Sequence, residues 1–395
     1  MKEEKKAPTL RFKGFTDDWE QCKLGDVCVI TMGQSPNSNN YTDNPKDPIL
    51  VQGNADMKDG QVYPRIWTTE ITKTANKGDL ILTVRAPVGD VGKTGYDIVI
   101  GRGVAAIQGN EFIFQLLKRM KAIGYWIKYS TGSTFESINS SEINNAVIHL
   151  PKKHEQIEVG NVLSYLDQTI TLHEEKKRQL ERLKSALLQK MFADKSEYPA
   201  IRFEGFSDEW GPCKLGDITT WTKGQGLSKE YLNNERHGSE AVHYADLYKF
   251  SPVMQEVIHW TNSDDGRIIP DNSLLFPASD VTPVGLARTS TLRLSGVKAG
   301  GDVIIGQLSE RINSSFMSYQ INANSKKILP LITGTTVKHV QAKSLATMSV
   351  TITNMAEQTA IAGLFERIDN LIALHQRKLD LLKEQKKGFL QKMFV

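Results

Sequence analysis

Two long stretches of the chain carry mainly apolar residues at alternating steps of four and three, residues 154–192 and 356–394. This spacing, held over about five heptads, is typical of helices that coil around each other. The pairing positions include Leu166, Ile170, His173, Leu180, Leu187, Ile368, Ile372, His375, Leu382 and Phe389. The pattern predicts two long helices that pair antiparallel, with His173 and His375 close together near the centre of the pair.

Short β-type runs cut by Gly and Pro turns fill the segments before each long helix, residues 27–150 and 218–353. Clear examples are residues 79–84 and 98–100, whereas Glu111 to Tyr129 has the pattern of a helix. Each segment is therefore predicted to be a mixed, strand-rich domain, and the fold class is α+β.

The chain repeats itself. Residues 8–26 match residues 199–217 at an offset of 191 with 12 identities in 19 positions, and the long helical segments match at an offset of 202. The repeated unit is a short leader, a globular segment and a helix. Because the offset grows between the two matches, the globular segments differ in length, and the chain is predicted to bind something twofold.

Both leaders carry aromatic and leucine anchors that are predicted to dock on the rest of the fold. The anchors are Phe12, Phe15, Trp19 and Leu24 in the first leader and Phe203, Phe206, Trp210 and Leu215 in the second. Since the second leader follows the first helix after a few residues, pseudo-twofold symmetry places the first leader beside the end of the second helix, near Leu390 and Phe394. The predicted architecture is therefore pseudo-cyclic.

These patterns divide the chain into six segments. They are an N-terminal leader (1–26), a first strand-rich domain (27–150), a central helical region (151–198), a second leader (199–217), a second strand-rich domain (218–353) and a C-terminal helical region (354–395).

Composition is ordinary for a soluble protein, with 39% hydrophobic and 24% charged residues. No apolar run resembles a membrane span or a secretory signal, which predicts a cytoplasmic protein with no membrane partner. Its three cysteines, Cys22, Cys28 and Cys213, are expected to be reduced, buried thiols. The net charge of +4 is small, so any contact with nucleic acid must come from local placement of basic groups.

Motifs for catalysis are missing from the sequence. Residues 86–94 end like a phosphate loop, but Pro87 stands where the first glycine is needed and has no amide to donate. Gly101-Arg102-Gly103 lacks the third glycine of a dinucleotide site, and His and Cys show no metal-ligand spacing. The aromatic clamp [DNS]PP[YF] for a flipped base is also absent; the nearest match begins at Asp43. We expect a non-catalytic chain without a cofactor or metal of its own.

Polar loops of the strand-rich domains are the best candidates for function, because Asn and Gln can pair with adenine and Arg with guanine in the major groove. In the first domain the candidates are Gln34, Ser35, Asn37, Tyr41, Gln52, Asn54, Arg65, Arg85, Arg102, Ser133 and Thr134. In the second they are Lys223, Gln225, Lys229, Arg267, Arg288, Arg293, Thr335, Thr336 and Lys338. Solvated surface loops would look the same.

The chain as a whole resembles the specificity subunits of type I restriction-modification systems. The residues that carry the resemblance are RFxGFxxxW with LGD in both leaders, TMGQSP at 31–36, RAPVGD at 85–90, GRGVAAI at 101–107, GSTF at 132–135 and the EQ-to-QKMF helices. The second domain shows no counterpart of TMGQSP or RAPVGD, and has WTKGQGLSKEY and PASDVTPVG instead.

The resemblance implies two target-recognition domains that read the two parts of a split site in double-stranded DNA. It also implies helices that dock two methyltransferase subunits, which recruit two restriction subunits. S-adenosylmethionine, ATP and Mg are then expected in the partner subunits.

Other functions stay open. A specificity subunit for a single fused methyltransferase-nuclease partner, a stand-alone methyltransferase, or a two-headed adaptor for proteins would share parts of this pattern.

Overall fold

A computed structural model describes residues 7–129, 136–193, 198–249 and 251–395 of the chain. The chain divides into two compact units, Met1–His173 with Lys378–Val395, and Glu174–Arg377. The two long helices, Lys153–Lys190 and Met355–Lys392, have the length that the heptad pattern predicts. Each unit contains the beginning of one long helix and the end of the other.

The strand-rich part of the first unit has strands β1–β13 and helices α1–α3 before the long helix α4 (Lys153–Lys190). The helices are α1 (Leu24–Val27), α2 (Glu111–Ala122) and α3 (Ser140–Asn144). The strands are β1 (Glu20–Lys23), β2 (Ile30–Met32), β3 (Tyr41–Thr42), β4 (Ile49–Val51), β5 (Met57–Lys58), β6 (Gln61–Val62), β7 (Ile66–Thr68), β8 (Thr74–Ala75), β9 (Leu80–Thr83), β10 (Val91–Lys93), β11 (Ile98–Ile100), β12 (Val104–Ile107) and β13 (Val147–Leu150).

Two mixed sheets form the first domain, with strand orders β2-β12-β9-β10-β6-β5 and β3-β7-β4-β11-β8. Strands β9, β11 and β12 are buried throughout, which explains why they read as unbroken apolar runs. The leader strand β1 pairs antiparallel with β13, so the leader is joined to the strand that precedes α4.

The second unit repeats this plan with strands β14–β26 and helices α5–α7 before the long helix α8 (Met355–Lys392). The helices are α5 (Pro283–Leu286), α6 (Ser314–Ala323) and α7 (Ala342–Leu345). The strands are β14 (Gly211–Lys214), β15 (Thr219–Lys223), β16 (Ser239–Val242), β17 (Val253–Met254), β18 (His259–Thr261), β19 (Arg267–Ile268), β20 (Ser273–Pro277), β21 (Ser279–Asp280), β22 (Ser290–Leu292), β23 (Lys298–Ala299), β24 (Val303–Leu308), β25 (Lys338–His339) and β26 (Ser349–Ile352).

Its sheets have the orders β15-β24-β20-β22-β17 and β18-β16-β23-β19, and the leader strand β14 pairs with β26 as β1 pairs with β13. The fold is α+β, with two mixed, strand-rich domains and two long helices, as the sequence predicts.

The helix predicted from Glu111 to Tyr129 is shorter in the structure. Asn110 caps its start by accepting a hydrogen bond from the amide of Ile113, and α2 ends at Ala122. Gly124 then adopts a left-handed conformation (φ 70°), which ends the helix, and a 3-10 turn follows.

Each leader is anchored at the end of a long helix. In the first unit, Trp19 lies between Phe112 and Phe394, with ring centroids 5.5 and 6.2 Å away, and the amide of Leu10 donates to the carbonyl of Lys392 at 2.8 Å. Phe12 and Leu390 pack at the edge of this cluster, whereas the Phe15 ring lies against the His154 ring.

In the second unit, the amide of Ile201 donates to the carbonyl of Lys190 at 2.9 Å, and Trp210 packs with Phe192 and Phe316. The first leader has no peptide bond to α8, yet it makes the contact that the second leader makes with α4. This equivalence confirms the predicted pseudo-cyclic arrangement.

The two helices pair antiparallel within each unit. In the first unit, Leu166 and Ile170 of α4 are buried, and Leu382 and Phe389 of α8 pack on the same core as Leu166. The second unit pairs the other two ends: Ile368 is buried, Leu187 packs against the core there, and Leu180 and Ile372 are half-buried. His173 and His375 belong to different units, and their proximity stays a prediction. So do the six segment boundaries.

Candidate nucleic-acid interface

The first candidate loop begins where strand β2 ends, at Gly33. The amide of Gly33 donates to the carbonyl of Val104 at 3.0 Å, and a Cβ at this position would lie 2.0 Å from the carbonyl oxygen of Gly101. Only glycine fits so close an approach. The amide of Gln34 then donates to the carbonyl of Ile100 at 2.8 Å, which directs the following residues across the ends of two strands.

Five of the predicted residues of the first domain line one open cleft of about 230 Å³. They are Ser35, Gln52, Asn54, Arg85 and Arg102, together with Gly53, Ala86 and Gly103. Residues separated by up to 67 positions thus meet at one place, as the backbone amide of Arg102 shows by donating to Ser35 Oγ at 3.1 Å.

The cleft has the chemistry of a base-reading surface. Arg85 and Arg102 are exposed, and neither guanidinium forms an ion pair within the part of the chain that the structure describes. Arginine presents a planar fork of donors that matches the O6 and N7 acceptors of guanine. The amides of Gln52 and Asn54 add groups that both donate and accept.

The remaining candidates of this domain do not line this cleft, and those that the structure describes form hydrogen bonds within the protein. Tyr41 Oη donates to Gln52 Oε1 at 3.4 Å, and the Asn37 side chain accepts from the amide of Asn39 at 3.0 Å, which shapes the loop. Arg65 already donates to the carbonyl of Ala55 at 3.0 Å. Ser133 and Thr134 lie outside the described residues.

Glu70 also holds this loop. It accepts from the backbone amide of Asn37 at 2.8 Å and from the side chain of Asn40 at 2.7 Å, and these hydrogen bonds lower the pKa of the Glu70 carboxyl below its usual value. The loop is therefore held by an ionised carboxylate at neutral pH.

The second domain has a counterpart of this loop, which corrects the expectation that TMGQSP has none. The amide of Gly224 donates to the carbonyl of Val303 at 2.8 Å, and a Cβ on Gly224 would lie 1.9 Å from the carbonyl oxygen of Gly300. Lys223 and Gln225 flank Gly224 and are exposed, as is Lys229 further along. The two loops are related by the same offset of 191 as the leaders. The sequence already shows this, because Thr222-Lys223-Gly224-Gln225 aligns with residues 31–34 at that offset.

The other candidates of the second domain lie further along the chain. Thr335 and Thr336 are exposed near Lys338, whose Nζ donates to the carbonyl of Gly334 at 2.8 Å. Arg267 is exposed on β19.

Two arginines of this domain are engaged within the protein. The guanidinium of Arg288 donates to the carbonyls of Leu247 and Tyr248, and Arg293 forms an ion pair with Glu366 of α8. Both side chains are therefore already used in holding the second unit together, and their predicted contact with DNA stays untested.

Sequence reasoning missed three polar residues near the second loop, His243, Ser279 and Asp302. Asp302 accepts hydrogen bonds from Ser279 Oγ and Lys223 Nζ, both at 3.3 Å. Burial lowers the pKa of His243, although the carboxylates of Asp246 and Asp302 oppose this effect. The continuing offset of 191, which relates Gln52 to His243, could have identified the histidine.

No group of three or more His, Cys, Asp and Glu side chains in the described ranges is placed to hold a metal ion. The three cysteines are free; Cys28 is buried, whereas Cys22 and Cys213 are half-buried, so burial is less complete than predicted. Burial raises the pKa of the Cys28 thiol to about 11. Among the helices that the structure describes, none is long and apolar enough to cross a membrane.

The chain belongs to the family described as the type I restriction modification DNA specificity domain, whose model matches residues 16–182 and 207–384. The chain thus carries two copies of this domain. A family defined by DNA specificity agrees with the prediction that the chain itself is not an enzyme.

Three relatives from Methanocaldococcus jannaschii carry the names of type I restriction enzyme specificity subunits. The match to the protein named for MjaX is 31% identical over 190 residues, which is 45% of this chain and 44% of that protein. The match to the protein named for MjaIX is 25% identical over 245 residues, which is 55% of this chain and 56% of that protein. The match to the protein named for MjaVIII is 21% identical over 404 residues, which is 94% of this chain and 91% of that protein. The chain spans about half the length of the first two relatives.

A solved structure with the same fold is the S subunit of a type I restriction-modification system from M. genitalium. It superposes with a TM-score of 0.67 at 14% identity and covers 98% of this chain and 99% of its own. This likeness establishes the fold along nearly the whole chain.

Proposed function

We propose that this chain is the DNA-reading specificity subunit of a type I restriction-modification complex. Each strand-rich domain reads one part of a split site in double-stranded DNA, and the long helices set the gap between the parts. The observation that carries the proposal is the cleft of the first domain, where Arg85, Arg102, Gln52, Asn54 and Ser35 present donors and acceptors to solvent. Phosphate contacts would position the protein, and these side chains would specify the bases.

The helices also support the proposed partners. Large apolar side chains are exposed on them in both units, and exposed apolar surface of this kind is typical of protein interfaces. In the first unit these are Ile157, Tyr165, Leu172 and Leu381, and in the second Leu183, Met355, Leu371 and Leu374. We infer that each unit docks one methyltransferase subunit, that restriction subunits join through them, and that S-adenosylmethionine, ATP and Mg bind in those partners.

The test is affinity purification of the tagged chain from its own host, followed by selection of bound duplexes from a random library. We expect two copies of a methyltransferase per chain and enrichment of a split motif. A single larger methyltransferase-nuclease partner would favour the fused system instead. Copurifying proteins without any enriched DNA motif would favour the two-headed adaptor and overturn the proposal.

Modularity of reading is tested by exchanging residues 27–150 for the equivalent domain of a relative. Sequencing of methylated adenines in cells that express the chimaera should show one changed half-site, with the other half and the gap nearly unchanged. A change in both halves would contradict independent reading.

A further inference from the structure

The two domains build the same backbone frame around their candidate loops. In the first, the amide of Gly101 donates to the carbonyl of Val51 at 2.8 Å; in the second, the amide of Gly300 donates to the carbonyl of Val242 at 3.1 Å. Together with the matched contacts of Gly33 and Gly224, these bonds place the segment Gly300-Gly301-Asp302 where the first domain has Gly101-Arg102-Gly103.

The opposite rim of the frame matches as well. The amide of Val84 donates to the carbonyl of Gly103 at 2.9 Å, and the amide of Ala278 donates to the carbonyl of Asp302 at 2.9 Å. The next residues, Arg85 and Ser279, therefore occupy equivalent positions. Their antiparallel partners, Ser137 and His339, are equivalent too, at the offset of 202 that relates the two long helices.

This equivalence shows that the second site lacks the two arginines of the first and carries a carboxylate, paired with Lys223, instead. Where the first cleft has Arg85 and Arg102, the second has Ser279 and Gly301, and the position of Gly103 carries the carboxylate of Asp302. A carboxylate adds nothing to the general affinity of a surface for polyanionic DNA. The carboxylate at this position is therefore expected to accept a hydrogen bond from a specific donor.

Asp302 is available for such a donor. Its Oδ2 accepts from Ser279 Oγ and its Oδ1 from Lys223 Nζ, both at 3.3 Å, but each carboxylate oxygen can accept a further hydrogen bond. Its side chain is 47% exposed and that of Lys223 is 59% exposed, so this ion pair is loosely held and can exchange partners. By contrast, the neighbouring Asp280 is committed to the protein, because it accepts from the amide of Val281 and the hydroxyl of Thr282.

We propose, on the basis of the function proposed above, that Asp302 reads an exocyclic amino group, cytosine N4 or adenine N6, in the half-site of the second domain. An ionised carboxylate only accepts hydrogen bonds, so it pairs with these amines and repels the acceptors of guanine and thymine that would stand in their place. Lys223 then turns to a phosphate. The two domains thus read base edges with different groups: arginine donors in the first domain and a carboxylate acceptor in the second.

The experiment compares wild type, Asp302→Asn and Asp271→Asn, each as the full chain with its copurified partners, in selections from a random duplex library. Asp271 is a matched control, because it is also exposed but lies before the first residue of strand β20, whereas Asp302 lies beside its last residue, Pro277. An asparagine at 302 both donates and accepts, so we expect one position of the second half-site to lose about tenfold of its preference, while the first half-site is unchanged. Asp271→Asn should keep both halves.

Base analogues then identify the amine. The base at the affected position is replaced by purine for adenine, or by pyrimidin-2-one for cytosine, each of which lacks the exocyclic amino group. Wild type should lose about tenfold in affinity for one of these duplexes, whereas Asp302→Asn should bind the natural and substituted duplexes alike.

The possible failures separate the two proposals. If wild type enriches no split motif, the function proposed above fails. If wild type enriches such a motif but Asp302→Asn leaves the second half-site as selective as before, alters the first, or changes affinity uniformly, the role of Asp302 is overturned.

Discussion

Arg11 of the first leader forms a two-point ion pair with Glu155 at the start of α4, with Nε–Oε1 at 2.6 Å and Nη2–Oε2 at 2.7 Å. The second unit repeats it between Arg202 and Glu357, at 2.6 and 2.8 Å. Each pair joins a leader to the long helix that follows it. The arginine of each leader and the glutamate at the start of each long helix therefore form the same contact in both units.

Replacing the arginine should cost more in the first unit than in the second. Glu155 is 2% exposed and has no other side-chain donor among the described residues, whereas Glu357 also accepts from Trp210 Nε1 at 3.2 Å and from the Thr353 hydroxyl. Arg11→Met should lower the free energy of unfolding by ~3 kcal/mol, because it leaves a buried charge unpaired. Arg202→Met should cost about 1 kcal/mol less. Denaturant titration measures both, and equal losses would contradict this difference.

A second pair of variants tests the polar contacts between the helices. Lys386 pairs with Asp167 in the first unit, and the equivalent Lys184 pairs with Asp369 in the second. Asp167 keeps Lys118 Nζ at 3.2 Å and Gln115 Nε2 at 2.8 Å when Lys386 is lost.

Asp369, in contrast, keeps the Tyr319 hydroxyl at 2.7 Å and loses its ion pair with lysine when Lys184 is replaced. Lys184→Met should therefore destabilise the protein by ~2 kcal/mol and Lys386→Met by less than about 1 kcal/mol. Thermal unfolding of the two variants side by side is the measurement. A larger loss of stability for Lys386→Met than for Lys184→Met would contradict this prediction.

The stability that Lys386 contributes should depend on pH. Burial, with a smaller effect from the nearby Lys118, lowers the pKa of Lys386 to about 8, below the usual 10.5 of lysine. Between these values the unfolded chain holds more protons than the folded one, so the contribution of this group to stability grows as pH rises from about 8 to 10.5.

The difference in unfolding free energy between wild type and Lys386→Met should accordingly shift in favour of wild type across that range. A difference that stays constant from pH 7.5 to 10 would refute the lowered pKa.

The hydrogen bond between Leu10 and Lys392 predicts that the chain tolerates circular permutation. A chain that joins residue 395 to residue 8 through a short linker and opens between Phe192 and Pro199 keeps the hydrogen bonds of Leu10 to Lys392 and of Ile201 to Lys190, so each leader keeps its helix end. It should fold, bind its partners and read the same split site. Size-exclusion chromatography and a duplex selection test this, and failure to assemble would show that the leader contact depends on the original connection.

Arg85→Ala should relax one position of the half-site read by the first domain. If Arg85 reads a base, the loss is ~1–3 kcal/mol for the preferred sequence and less for others. Arg65→Ala should cost less, because Arg65 already donates to the carbonyl of Ala55 and lies 3.8 Å from Asp56. A loss that is uniform across sequences would make Arg85 a phosphate contact.

Much of the architecture follows from local pattern. The steps of four and three require a helix with one apolar face, and the short apolar runs between glycines and prolines require buried strands. The 191 and 202 offsets place both leaders and both helices in equivalent positions, and even the contact between the first leader and the end of α8 follows from that symmetry. The helices and strands depend on neighbours in sequence, where spacing alone decides which side chains share a face, and the leader contact depends on the match between the two repeats.

Only the tertiary structure decided which polar side chains face solvent in the loops. Arg85 and Arg288 look alike in the sequence, yet one lines an open cleft and the other is held by the carbonyls of Leu247 and Tyr248. Likewise, Asp302 lies beside the second loop because the amide of Ala278 donates to its carbonyl and the amide of Gly224 donates to the carbonyl of Val303. Buried carbonyls must find donors from any part of the chain, so the use of each polar group depends on contacts between residues far apart in sequence.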